Sequence, residues 1–277
     1  METRPIAYQL YSARDEAAQN LGSVLQTVSR LGYDGVEFAG FYGHSAEAIV
    51  ALMAEHGLIA ISSHVPLQMI EDDMFGVISF HKKIGCPHIA IPYLDEQTRP
   101  GAPGFSRVLR RINQFGQLCE AAGIQLLYHN HDFEFLPISG QYGLDFLYDA
   151  VPARILQTEI DVCWVKYAGE DPAAYIRKYA GRCPIVHLKD YVGEKGGVSP
   201  YELIGQEDTV DRTKTAFEFR PVGYGCQDIL SIVAASLESG AGWFVVEQDL
   251  SKGRAPLEAA AMSIETLRGI GVARQSK

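Results

Sequence analysis

Leu126-Leu127-Tyr128-His129-Asn130-His131-Asp132-Phe133-Glu134 is the stretch that decides the fold. A short apolar run stops abruptly in imidazoles and carboxylates, and three later segments do the same. Ile155-Leu156-Gln157-Thr158 runs into Glu159-Ile160-Asp161, Ile185-Val186 into His187-Leu188-Lys189-Asp190, and Phe244-Val245-Val246 into Glu247-Gln248-Asp249. Four buried strands that all deliver polar groups at their C-terminal ends imply one shared site at one end of a parallel barrel.

Strand-like and helix-like segments alternate in both directions from these four. Ile6 to Tyr11 reads as the first strand. Ala17 to Leu31 follows as a helix with Leu21, Val24, Leu25, Val28 and Leu31 on one face, ended by Gly32. Val36 to Ala39 is the second strand, and Ser45 caps a helix from Ala46 to His56. The cycle continues with strands at Leu58–Ser63, His88–Tyr93, Ile124–Asn130, Ile155–Ile160, Ile185–Lys189 and Trp243–Glu247. The remaining helices are expected at 72–84, 106–122, 143–150, 172–179, 227–238 and 257–269. Eight strands and eight helices in strict alternation predict a closed α/β barrel, a (β/α)8 TIM barrel, filling residues 1–277 as one domain. An open doubly wound sheet is disfavoured because Ser12-Ala13-Arg14-Asp15, after the first strand, lacks a glycine-rich phosphate turn. One connection is long. Residues 191–225, about 35 in number, read as a substrate-covering insertion, with a plain surface insertion as the alternative.

Composition narrows the function. The 277 residues suit a barrel of the usual ~250-residue size. With 34 acidic and 24 basic residues the net charge is −10, which argues against a nucleic-acid partner. Five scattered cysteines without a CxxC pair fit free thiols in a reducing compartment. No apolar run nears the ~20 residues that span a bilayer, so a cytoplasmic location without a membrane partner is expected.

The polar strand ends suit a divalent cation, for which carboxylates with imidazole are appropriate ligands; Mn²⁺, Mg²⁺, Co²⁺ and Zn²⁺ all fit. Glu134, Asp161, His187 and Glu247 are the four expected metal ligands, one from each of strands 5 to 8. Each has another reading. Asp161 could cap the following turn, His187 could be a satisfied core histidine, and Glu247 could pair with a basic side chain. Glu134 lies well past the apolar part of its strand, where His129 or His131 could replace it. Lys189 shares a face with His187 and is positioned either to stabilise an oxyanion or to pair with Asp161 or Glu159. Glu247, His131 and Lys189 are the catalytic candidates. His64, His129, Glu37 and Trp164 are the substrate-binding candidates, although Trp164 could equally be core. Arg99, Arg107, Arg110 and Arg111 read as a solvated helix face more readily than as a phosphate site.

At these residues the chain resembles the sugar phosphate isomerase/epimerase family, which shares the xylose isomerase-like TIM barrel. The resemblance is carried by residues 128–135, Glu159 to Trp164, His187 to Asp190, Pro221-Val222-Gly223-Tyr224-Gly225, and Val246 to Asp249. It implies a divalent metal, often Mn²⁺, held by Glu, Asp, His and Glu at the ends of strands 5 to 8; Asp161, His187 and Glu247 match that pattern. The first Glu departs from it, because ketose epimerases place a Glu where this chain has His129. The resemblance therefore implies a sugar isomerase or epimerase acting by α-proton transfer through a metal-stabilised enediolate. A metal-dependent lyase of the inosose-dehydratase or 3-keto-glycoside-processing kind is the alternative. A non-catalytic sugar-binding barrel and an apurinic endonuclease are remoter rivals. The expected partner is a small-molecule sugar or keto-sugar, with a homo-oligomer possible by analogy.

Overall fold

The structure is a computed structural model that describes residues 3–194 and 217–274. Its centre is a closed barrel of eight parallel strands: β1 (Ile6–Gln9), β2 (Gly35–Ala39), β3 (Ile59–His64), β4 (His88–Ile91), β5 (Gln125–His129), β6 (Leu156–Asp161), β7 (Ile185–Leu188) and β8 (Trp243–Val246). Each strand pairs with the next in sequence, and β8 closes back onto β1. The helices α1 (Arg14–Leu31), α2 (Ala46–His56), α3 (Leu67–Asp72), α4 (Met74–Lys83), α5 (Phe105–Ala122), α6 (Gly143–Ala150), α7 (Val162–Tyr167), α8 (Pro172–Lys178), α9 (Ile229–Glu238) and α10 (Pro256–Gly269) flank it.

The period-two alternation of a strand explains what lies inside. Ala7, Ile61, Ala90, Leu127, Ile185 and Val245 form an apolar cluster of their own, which plugs the lower barrel. Two residues further along the same strands stand Gln9, His129, His187 and Glu247, all buried and all polar, and in β3 a register shift against β2 brings His64 inward instead of Ser63. The opposite faces of the strands meet the helices in the main core, where Leu21, Val24, Leu25 and Val28 of α1 sit as their spacing predicts. Burying such a face is what holds a helix of this kind in place, at ~1.5–3 kcal/mol for each fully buried large side chain.

Several local features differ from the sequence reading. Strand β1 ends at Gln9, whose side-chain oxygen accepts a hydrogen bond from Tyr11 N and starts a single 3-10 turn over Leu10–Ala13. Helix α1 is interrupted at Asn20, whose Oδ1 accepts from Ser23 N and recaps the chain. The helix expected over 72–84 is α4, starting at Met74, and it is preceded by a short helix, α3, that was not anticipated. Asp73 breaks the run with an extended backbone, and its carboxylate caps Gly76 N at 2.8 Å. Helix α7 was not anticipated. Asp161 nucleates it by accepting from Cys163 N and Trp164 N.

Residues 195–216 of the expected insertion lie outside the described residues. Its two ends form a short antiparallel ribbon, Asp190–Val192 against Glu218–Arg220. The Asp190 carboxylate fastens the ribbon's base, accepting from the backbone N–H groups of Tyr191, Gly223, Gly225 and Gln227 at 2.9–3.1 Å. The glycines of the 221–225 segment follow from this clasp. A side chain at Gly225 would collide with Asp190 Oδ1 and the Tyr191 carbonyl, and Gly223 adopts a positive φ.

Candidate metal centre

The strand register sets the site. Gln9 pairs with Glu37, His129 with Glu159, Asp161 with His187, and His187 with Val245 two residues before Glu247. The inward-facing polar residues of β1, β2, β3, β5, β6, β7 and the end of β8 therefore converge near the C-terminal mouth, where TIM-barrel sites lie.

Two overlapping sets of metal-type ligands result. The outer set is His129, Asp161, His187 and Glu247; the inner set is His64, His129, Glu159 and His187. Within each, one ligand atom per residue lies within 4.8 Å of all the others. In the outer set His187 Nδ1 is 3.0 Å from Glu247 Oε2, and His129 Nε2 is 3.6 Å from Asp161 Oδ2. In the inner set Glu159 Oε2 lies 2.8 Å from His64 Nε2, 3.3 Å from His129 Nδ1 and 3.5 Å from His187 Nε2. Glu37 Oε2 joins the inner set, 2.7 Å from His187 Nε2, and is steadied by Gln9 Nε2 at 2.6 Å.

Asp161 serves two purposes. Its Oδ1 caps α7, while Oδ2 has no hydrogen-bond partner among the described residues and faces His129 and Lys189. Lys189 is buried, with its Nζ 2.8 Å from Asp249, 3.2 Å from Glu247 and 3.4 Å from Asp161. Its ammonium also lies 5.1 Å from the Trp164 ring centroid and 5.3 Å from that of Phe219, within cation–π range.

The charges in this cluster shape one another. Burial pushes all the carboxyls up, and their neighbours decide the outcome. The His64 and His187 charges overcome burial at Glu37 and hold it at about 2. Lys189 and His187 do the same at Glu247, which falls well below the usual carboxylate range. Burial wins at Glu159, reinforced by the Glu37 charge, and lifts it to about 7. Burial also carries Asp161 to about 6 and Asp249 to about 7, although Lys189 opposes both. The carboxylates more than offset desolvation at His187 and Lys189, and both are raised well above their ordinary values. His129 goes the other way, held well below its ordinary value by burial and by the charges of His187 and His64. His131 is likewise lowered by burial, then by Lys189.

Of the four residues expected to bind metal, Asp161, His187 and Glu247 come together. Glu134 lies outside both sets. Its carboxylate accepts from Tyr128 Oη at 2.5 Å and from His131 N at 2.8 Å, because the 3-10 turn Phe133–Phe135 curls it back toward β5. Burial raises its carboxyl to about 7. His129, taken as a substrate contact with ligation as the alternative, stands in the ligand cluster. His64 and Glu37 lie in the inner set. His131 stacks on Phe133 at 5.5 Å, meets Tyr93 edge-on and lies tilted against Trp164, forming an aromatic wall at the mouth. Trp164 is fully buried beneath Lys189 and packs against Phe217 and Phe219. Arg99 lies over the Phe133 ring at 3.9 Å, beside this wall, whereas Arg107 and Arg111 pair with Glu71 on the exterior. Sequence reasoning assigned no role to Asp249 and treated Glu159 only as a possible ion-pair partner of Lys189. Alternation from Glu247 and Asp161 carried the signal for both.

A closed eight-stranded barrel with ligand-type residues at its C-terminal mouth defines a class of TIM-barrel proteins built around a mouth site. The sequence pattern of one such family, described as Xylose isomerase-like TIM barrel, matches residues 25–270, and the chain belongs to that family. No curated protein matches the chain. Among solved structures it is similar to a sugar phosphate isomerase/epimerase from Parabacteroides distasonis, at 20% identity and a TM-score of 0.77, covering 99% of this chain and 96% of that one. The IOLI protein with a binding zinc atom is similar at 13% identity and a TM-score of 0.72, covering 98% and 100%. The probable 3-DHS dehydratase AsbF of Bacillus anthracis, involved in petrobactin synthesis, is similar at 12% identity and a TM-score of 0.69, covering 95% and 98%. At these identities the likeness is one of fold. No helix among the described residues is long and apolar enough to cross a membrane.

Proposed function

We propose that this chain is a divalent-metal-dependent enzyme of the cytoplasm that isomerises or epimerises a sugar or keto-sugar by moving a proton on the carbon beside a carbonyl. The observation that carries the reading is the convergence of His129, Asp161, His187 and Glu247, whose ligand atoms lie within 4.8 Å of one another. The donor set fits a cation. Asp161 Oδ2, which faces His129 Nε2 at 3.6 Å, is buried without a hydrogen-bond partner among the described residues, and such an atom is costly unless something fills it. Imidazole together with two carboxylates suits Mn²⁺, Co²⁺ or Zn²⁺ better than Mg²⁺, which prefers an all-oxygen shell.

When bound, the cation supplies Lewis acidity toward a carbonyl oxygen and its neighbouring hydroxyl, making the C–H between them more acidic. The side chains do the remaining work. His131, at the aromatic wall, takes the proton from carbon; in isomerisation it returns the proton to the neighbouring carbon, and in epimerisation a second group on the opposite face returns it. The Lys189 ammonium donates toward the oxygen on which negative charge collects. Asp249 holds that ammonium in place.

A β-elimination reading is favoured by one feature. Glu134 is tied to Tyr128 and His131 N, away from the ligand cluster, so a pair of glutamates facing each other across the substrate is not assembled. An imidazole base beside an ammonium would also serve loss of water or of a glycosyl group after the same first step. A single experiment tests both readings. The protein is stripped with chelator, reloaded with Mn²⁺ and incubated in D₂O with a panel of ketoses and keto-sugars. Mn²⁺-dependent deuterium incorporation at the α-carbon is expected; its absence with every substrate contradicts the proposal. Recovery of an epimer rather than a dehydrated product decides between the branches.

A further inference from the structure

We infer that the barrel holds a second, inner divalent-cation site. Glu37, His64 and Glu159 form it with one nitrogen of a shared imidazole, and it takes a nitrogen-preferring metal such as Zn²⁺. The inference rests on the outer cation proposed above and adds a partner to it.

Geometry supplies the first argument. Glu159 Oε2 has three imidazole nitrogens around it, at 2.8, 3.3 and 3.5 Å, and Glu37 Oε2 lies 2.7 Å from His187 Nε2 and 3.3 Å from His64 Nε2. Several of these close approaches are not hydrogen bonds. In the inner set His187 Nε2 meets Glu37 as an ion pair, while His129 Nδ1 points into it without a hydrogen-bond partner among the described residues. Glu37 Oε1 and Glu159 Oε1 also lack one, and both glutamates are fully buried. Convergent donors with unfilled lone pairs describe a ligand shell better than an ion-pair network, in which each close contact would be directed.

The shared imidazoles make two cations compatible. His187 turns Nδ1 to Glu247 and Nε2 to Glu37; His129 turns Nε2 to Asp161 and Nδ1 to Glu159. A neutral imidazole has one lone pair, so each ring commits to one site. With one ring given to each cation, the inner site has His64, Glu37, Glu159 and an imidazole, and the outer has Asp161, Glu247 and the other imidazole. Charge points the same way. Glu37, Glu159, Asp161, Glu247 and Asp249 are all buried, and among the described residues Lys189 is the lysine or arginine ion-paired with any of them. With all five ionised and the imidazoles neutral, as metal ligation requires, five carboxylates against one ammonium would leave four negative charges, which two divalent cations would cancel. Gln9, bonded to Glu37, is the kind of supporting contact that aims a ligand.

The test is metal stoichiometry on the full chain, stripped and re-equilibrated with Zn²⁺, together with an anomalous difference map at the zinc edge. Two zinc ions per chain are expected, with one anomalous peak between Glu37, His64 and Glu159. His64→Asn is expected to bind one, leaving the affinity of the remaining ion within about threefold of its wild-type value. Asp161→Asn should retain the inner ion. One ion in the wild-type chain, retained in His64→Asn and lost in Asp161→Asn, overturns the inner site and leaves the proposed function standing. Two ions that both persist in His64→Asn also overturn it. No bound ion in the wild-type chain overturns both. If His64→Asn does not fold, the wild-type map alone decides.

Discussion

Lys189 is buried against three carboxylates at 2.8–3.4 Å, and removing a buried ion's partner typically costs ~3–5 kcal/mol. Lys189→Met should therefore lower urea stability by about that much in chelator, and by clearly less at saturating Mn²⁺, because a cation would take over part of the neutralisation. An equal loss in both conditions would contradict shared neutralisation. Glu134 and Asp161 provide a contrast at the same scale. Asp161→Asn is expected to weaken Mn²⁺ binding by more than about 100-fold, whereas Glu134→Gln, acting through Tyr128 and His131, should change it by less than about tenfold. Isothermal titration of the two variants measures both. The residue chemistry was legible where a ligand sits directly on a strand end, as Asp161, His187 and Glu247 do. It was not legible at Glu134, because the direction of that carboxylate depends on the 3-10 turn at Phe133–Phe135 and not on strand parity.

Asp145 shows the scale of elements. From α6 it accepts hydrogen bonds from Tyr175 at 2.7 Å, Tyr179 at 2.5 Å and Lys178 at 2.6 Å, and so ties α6 to α8 and the residue that follows it. Burial raises its carboxyl, but the bonds from Lys178, Tyr179 and Tyr175 outweigh burial and leave it below the usual value. A depressed carboxyl contributes its stability fully above the unfolded value near ~3.9 and loses it as pH falls through the lower folded value. Asp145→Asn should cost about 1–3 kcal/mol at pH 6, with the gap to wild type narrowing below about pH 4. Urea midpoints across that range check it; a gap that widens on acidification contradicts the account. The Asp190 clasp makes a second prediction. Gly225→Ala, which drives a methyl into Asp190 and Tyr191, should cost about 1–3 kcal/mol, read as a drop in urea midpoint; an unchanged midpoint would mean that the ribbon base adapts freely. Helix faces such as that of α1 were readable from spacing. The boundary at Asp73 between the unanticipated α3 and α4, and helix α7, were not, because each depends on an aspartate whose carboxylate turns onto its own backbone.

At the scale of the whole molecule, the barrel follows from two simple periodicities. Eight alternations of strand and helix close the sheet, and parity within each strand stacks a polar layer on an apolar plug. That second regularity was present in the sequence: Ile185 to His187 to Lys189, or Val245 to Glu247 to Asp249. Followed along every strand, it also gives Gln9, Glu37 and Glu159, so the depth of the site was more legible than its ligand list. What sequence could not supply was the distance across the barrel, because neighbours around the ring are far apart in the chain. The central claim is that imidazoles and carboxylates from separate strands surround one ion. Diffraction from Mn²⁺-soaked crystals at the manganese edge tests it most directly. The account predicts an anomalous peak among His129, Asp161, His187 and Glu247; a map empty there, or a peak held by Glu134 instead, would contradict it.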